Sequence, residues 1–237
     1  MATPASPASG TARYPFYALV AFGALLLVFA GFARSYYLKV QFGTPVLPLL
    51  VHLHGAVMTG WFVLLFVQAG LIETHRTAVH RRLGVLAAGW ALLVLVVGVA
   101  TAIHAARLGF TAGPPPLVFL VVPLMDLVVF GSLTGSALLY RGRPEIHRRL
   151  MLMGSVGILA PAIARLPIGA VARGGLPVIF GLMILVAVGC VAFDTWRYRR
   201  LHPAFGWGLL VVVSSVPLRV ALGGTAAWQR FAAWLIS

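Results

Sequence analysis

Seven histidines and four carboxylates, Glu73, Asp126, Glu145 and Asp194, hold most of the acid–base and metal chemistry open to this 237-residue chain. Three of the histidines share a setting. His80-Arg81-Arg82-Leu83-Gly84, His147-Arg148-Arg149-Leu150-Met151 and Arg200-Leu201-His202-Pro203 each open an apolar run. Neutral imidazole is a versatile ligand: two rings on facing helices suit the axial positions of haem iron, and three suit zinc, copper or non-haem iron. His80, His147 and His202 are therefore the candidate metal ligands. Gly84 and Gly206 follow His80 and His202 by four residues, on the same helical faces, where they would leave room for a flat macrocycle. The same repeat would also serve as plain cationic anchoring of helix starts at the headgroups.

A second set of polar residues stands inside apolar runs. His54 lies 18 residues before Ile72, Asp126 14 before Tyr140, Arg165 18 after His147 and Arg219 17 after His202. At a helical rise of 1.5 Å per residue these offsets become roughly 27, 21, 27 and 25 Å above the inner boundary, one common depth. Charges in hydrocarbon are expensive, so Asp126, Arg165 and Arg219 are expected to face the bundle interior and one another. With His54 they would form an outer polar pocket for a quinone-like carbonyl or for cofactor carboxylates, or else a structural bridge. His52, two residues from His54, points about 200° away and cannot share its ligand. His54, Met58, Trp61, Leu65 and Gln68 follow helical spacing and form one stripe toward a neighbouring helix or cofactor. His104, about 36 Å beyond His80, ranks below His54 as a ligand.

Other chemistries are excluded by what is missing. There is no phosphate-binding glycine loop, no spaced cysteine pair and no HExxH helix; Ser214 and Ser215 lack a nucleophile's setting, and Cys190 stands alone in an apolar run. The net charge of +14 does not imply nucleic acid, because the cations sit in short connections between apolar runs.

The elements that must position these residues are set by composition: 61% of residues are hydrophobic and 9% charged, which excludes an ordinary soluble globule. At about 20 residues per span, Pro, Gly and Arg clusters divide the chain into seven apolar segments: 15–34, 46–72, 83–106, 116–140, 149–171, 176–196 and 205–222. The fold class is all-α, a polytopic bundle of about seven transmembrane helices. The seventh segment is the weakest, being short and interrupted by Ser214, Ser215, Pro217 and Arg219. Residues 1–14 read as a disordered tail without a cleaved signal, 15–222 as the transmembrane domain and 223–237 as an interfacial segment rich in aromatics. Ten of the eighteen cationic residues (Arg76, Arg81, Arg82, Arg141, Arg143, Arg148, Arg149, Arg197, Arg199 and Arg200) fall in the connections after segments two, four and six. The positive-inside rule makes that end cytoplasmic, with the N-terminus, in a bacterial inner membrane.

On His54-Gly55, His80 to Gly84 and His147 to Met151, over about residues 48–206, the sequence resembles uncharacterised bacterial multi-pass membrane proteins with an HG, HRRLG, HRRLM pattern. More faintly, His54 with Met58, Gly60 and His80 resembles the two-haem transmembrane b-type cytochromes reduced by ascorbate. That resemblance implies haem b with His80 and His147 as one ligand pair. The second pair departs from the pattern, since span four offers Met125 and Asp126 but no histidine. The expected function is a membrane redox protein holding haem b or another transition metal, exchanging electrons with a quinone or a redox partner protein. The alternatives are a non-catalytic accessory subunit and a small-molecule transporter using Asp126.

Overall fold

A computed structural model describes residues 15–111 and 114–237; the tail expected over residues 1–14 lies outside the described residues. The described chain is helical, with no strand among the described residues. Helix α1 (Phe16–Phe32) runs into a π-helical turn (Ala33–Tyr37), followed by α2 (Leu49–Glu73), α3 (Thr77–Arg107), α4 (Pro116–Phe119) and α5 (Val121–Leu139). Then come α6 (Pro144–Val156), α7 (Ala160–Ile163), α8 (Gly169–Tyr198), α9 (Pro203–Gly223) and α10 (Ala226–Ile236). Six stretches are long and apolar enough to cross a membrane: Phe16–Tyr37, α2, α3, Pro116–Leu139, α8 and α9. Their outward faces carry exposed Val85, Leu139 and Val220, a surface that suits a lipid bilayer.

The sequence expectation of a continuous fifth span is corrected. Segment 149–171 is built as α6, a break at residues 157–159, the four-residue α7 and an irregular stretch before α8. Pro161 supplies the reason: it has no N–H to give the carbonyl of Gly157, and its ring would collide with that carbonyl in a regular helix. The segment still traverses the bundle. At one end Arg149 of α6 pairs with Asp194 near the end of α8, and at the other Ala162 of α7 lies against Gly31 near the end of α1. Six long helices and one broken one therefore run between the two ends of the bundle, and the connections α2–α3, α5–α6 and α8–α9 gather at a single arginine-rich end.

The seventh segment, weakest by sequence, forms an unbroken 21-residue α9 with Pro217 inside it. Bundle neighbours tolerate such a proline where lipid would not. In α8 the helical path kinks at Gly175, whose φ of 56° and ψ of −151° suit glycine alone, and the regular helix resumes just before Pro177. Residues 226–236 form α10, whose Trp228 Nε1 donates to the Leu117 carbonyl at 2.8 Å and whose Ala232 is fully buried. Phe231 and Trp234 stay exposed, as expected of a helix lying at a lipid boundary.

Close approach of small residues holds the broken segment. Added Cβ atoms at Gly154 and Gly157 would meet Thr134 Oγ1 and Val129 Cγ1, both at 2.7 Å, so α6 lies directly on α5. At the break, Trp61 Nε1 donates to Ser155 Oγ at 3.2 Å, Ser155 donates to the Met151 carbonyl, and the Trp61 ring meets Phe130 edge-on at 4.9 Å. A Cβ at Gly31 would strike the backbone carbonyl of Ala162, which cannot swing aside. Gly31→Leu is thus expected to cost about 1–3 kcal/mol, lowering the unfolding midpoint in detergent by roughly 2–12 °C, whereas Gly89→Ala, which meets open space, leaves it unchanged. Thermal unfolding followed by circular dichroism checks both.

Candidate functional site

At the arginine-rich end, His80 in the first turn of α3 and His147 in the first turn of α6 face each other. Their ring centroids are 6.4 Å apart and their planes nearly perpendicular, at 82°. Each ring is oriented through Nδ1. The Ala137 carbonyl belongs to the last turn of α5, where helical partners run out, and His147 Nδ1 lies 2.8 Å from it. A carbonyl only accepts, so His147 donates from Nδ1, which leaves Nε2 as the ring nitrogen that could ligate.

His80 has two partners on one residue. Its Nδ1 lies 3.3 Å from the Gln68 backbone carbonyl, while the Gln68 side-chain amide, with nitrogen turned inward, reaches the same atom at 2.7 Å and accepts from the Gly84 N–H at 2.9 Å. The two contacts select opposite tautomers. The carbonyl takes a proton from Nδ1 and leaves Nε2 free to ligate; the amide puts the ring proton on Nε2. A metal at Nε2 would select the first.

Distance fits a shared ion. Two metal–nitrogen bonds of about 2.0–2.1 Å plus the two imidazole radii span roughly 6 Å between ring centres. The slots expected for a macrocycle are filled, however: the Gln68 amide group lies 3.7 Å from where a Gly84 Cβ would be, and Leu201 lies 3.6 Å from the same point at Gly206. The residues present fit a bare ion better than haem.

His202 does not join this pair, and no group of three metal-ligating side chains exists among the described residues. Pro203 opens α9 at N1, so the next amide needs a partner, and His202 Nδ1 accepts from Ala204 N–H at 3.2 Å. Burial and then the charge of Arg149 hold the His202 imidazole below its ordinary pKa, which keeps it neutral for this capping role.

His202 instead borders a cluster that the sequence reading missed. Arg149 and Asp194, only 1% and 2% exposed, form a two-pronged ion pair, Nε to Oδ2 and Nη2 to Oδ1, both 2.9 Å. Arg149 Nη1 reaches the Glu145 carboxylate at 2.5 Å and the Glu145 carbonyl at 2.8 Å, and the guanidinium lies 5.3 and 5.6 Å from the rings of Tyr198 and Phe205. Tyr17 donates to Asp194 at 3.4 Å, tying α1 into the group. A signal existed in the sequence: with four acids in the chain, each one embedded in an apolar run needs a cation, and Asp194 is such an acid.

At the opposite end the expected four-residue cluster resolves into two separate groups. Arg219 Nη2 donates to Asp126 Oδ1 at 2.6 Å, with the residues 3% and 4% exposed and the guanidinium 4.5 Å from the Phe180 ring centre. His54 instead has Arg165 as its charged neighbour, and its buried Nδ1 has no partner among the described residues. Arg165 stands exposed, over the Phe32 ring at 4.8 Å and donating to the Pro161 carbonyl at 3.0 Å. Counting depth from His147 assumed an unbroken helix; the break carries Arg165 out to the end of α1. His52 lies apart, with Lys39 Nζ 3.3 Å from its Nε2, and the buried His104 Nε2 has no hydrogen-bond partner among the described residues.

Comparison with known protein families, with curated proteins and with solved structures gives no match.

The Arg149–Asp194 pair generates a stability prediction. Asp194→Asn leaves the buried guanidinium with only the exposed Glu145 carboxylate as counter-charge and is expected to cost up to about 3–5 kcal/mol, while the double change Arg149→Met with Asp194→Leu recovers most of that loss. Denaturant titration of the three proteins in detergent measures it.

Proposed function

We propose that this chain is a redox protein of the bacterial inner membrane that binds one transition-metal ion between His80 and His147, with its arginine-rich end in the cytoplasm. The supporting observation is the convergence of two imidazoles from separate helices, at a separation that two metal–nitrogen bonds fill. Ala137 and Gln68 orient the rings as the outer partners of histidine ligands do elsewhere. Imidazole suits copper, iron, nickel and zinc; of these, copper and iron exchange single electrons. Two protein ligands leave positions open for a partner's ligand or for water. The haem b implied by the cytochrome resemblance would require Gln68 to leave the face of Gly84.

Nine arginines besides Arg149 crowd the same end, which under the positive-inside rule supports a cytoplasmic orientation. They would also attract an acidic electron-transfer partner. The rival reading, an accessory subunit without catalysis, draws on the Arg149–Asp194–Glu145 cluster, a fully partnered network that joins α1, α6 and α8 without any ligand.

Metal analysis separates the two. Protein stripped of metal and titrated with copper should bind about one ion per chain. His80→Ala and His147→Ala should each weaken binding more than about tenfold, the lower bound set by losing even an outer-shell partner. His202→Ala should bind as wild type. Equal binding by all four proteins would leave the accessory reading, and a Soret band lost in His80→Ala would reinstate haem.

A further inference from the structure

The buried pair Asp126–Arg219, far from the histidine site, is only half satisfied. One hydrogen bond joins the two, and Asp126 Oδ2, Arg219 Nε and Arg219 Nη1 are all buried without a partner among the described residues. In a bilayer every such group lacks the water that would otherwise serve it, which makes each one costly to leave open. The fifth segment is also broken near this depth. Gly154 packs beside Thr134 and Gly157 beside Val129, so α5 meets the start of the break in the fifth segment at Val129, about one helical turn from Asp126. Broken helices inside membrane bundles are found where backbone lines a site.

The charges themselves restrict what could bind. With Arg165 elsewhere, one carboxylate faces one guanidinium and the pair is neutral, so a counter-anion has nothing to balance. The open groups are one acceptor on Asp126 and two donors on Arg219. A single hydroxyl meets both needs, donating to Asp126 Oδ2 while accepting from Arg219. Both side chains are buried within helices that suit a bilayer, which favours a ligand soluble in lipid, and Phe180 contributes an aromatic wall. We propose that Asp126 and Arg219 bind the hydroxyl-bearing head of a lipid-soluble quinol. This site stands on its own observations and does not require the metal at His80 and His147.

The probe is decylubiquinol, kept reduced under argon, with decylubiquinone as its oxidised counterpart. Each is titrated into the protein in lipid nanodiscs, with empty nanodiscs as background. The quinone has carbonyls that accept from Arg219 but nothing to give Asp126, so the quinol should bind saturably and at least about tenfold more tightly. Asp126→Asn should abolish that preference, and His80→Ala should leave it intact, so failure of the metal reading and failure of this one are separable. Because Asp126→Asn also unpairs Arg219, a second measurement uses the unaltered chain: infrared difference spectra on adding quinol should shift a carboxylate band. Binding no greater than in empty nanodiscs, equal affinity for the two redox forms, or an unmoved carboxylate band would each overturn the proposal and leave the pair to ordered water.

Discussion

The pairing of Arg149 with Asp194 is the constraint on which the arginine-rich end depends. Helix α6 has only 13 residues before the break, too few to be fixed by spanning the hydrocarbon as its neighbours are. A guanidinium buried beneath Tyr198 and Phe205 must stay with its carboxylate, and the two-pronged geometry fixes both the height and the rotation of α6. His147 sits two residues earlier, about 200° around the helix, so the bond that draws Arg149 toward α8 turns His147 toward α5 and His80. The ring separation is thus a consequence of an ion pair on the far side of the same helix.

Much of this was legible in the sequence, for identifiable reasons. Long apolar runs between arginine clusters gave six of the spans, because hydrophobic length is a one-dimensional property. The His-Arg-Arg-Leu repeat brought His80 and His147 to one level because both lie within a turn of a helix start, where depth accumulates little error. Gln68, placed on the His54 stripe by helical spacing, does lie beside His80. Depth counting failed for Arg165 because it runs through the break at residues 157–159, and Pro161, which causes the break, resembles the tolerated Pro217 in sequence alone. Arg149 was hidden among neighbours that serve as interface anchors; only its partner, an acid 45 residues on, distinguishes it.

The two ends of the bundle use their polar groups differently. Near the arginines, every member of the buried ion pair is partnered, so that network is complete as protein and acts to hold helices. At the other end Asp126 and Arg219 keep open donors and an open acceptor, about one helical turn from the break in the fifth segment. The fifth segment links the two: its first half carries His147 and Arg149, and its break begins beside Val129, about one helical turn from Asp126. A metal ion at one end and a quinol at the other would be joined by the one element the bilayer does not hold straight.

The central claim is that His80 and His147 ligate a single ion, and electron spin-echo spectroscopy of copper-loaded protein tests it most directly, because remote imidazole nitrogens modulate the echo and can be counted. The account predicts two such nitrogens, the Nδ1 atoms held by Gln68 and Ala137, falling to one in either His80→Ala or His147→Ala. A modulation pattern that neither substitution changes would place the copper elsewhere and contradict it.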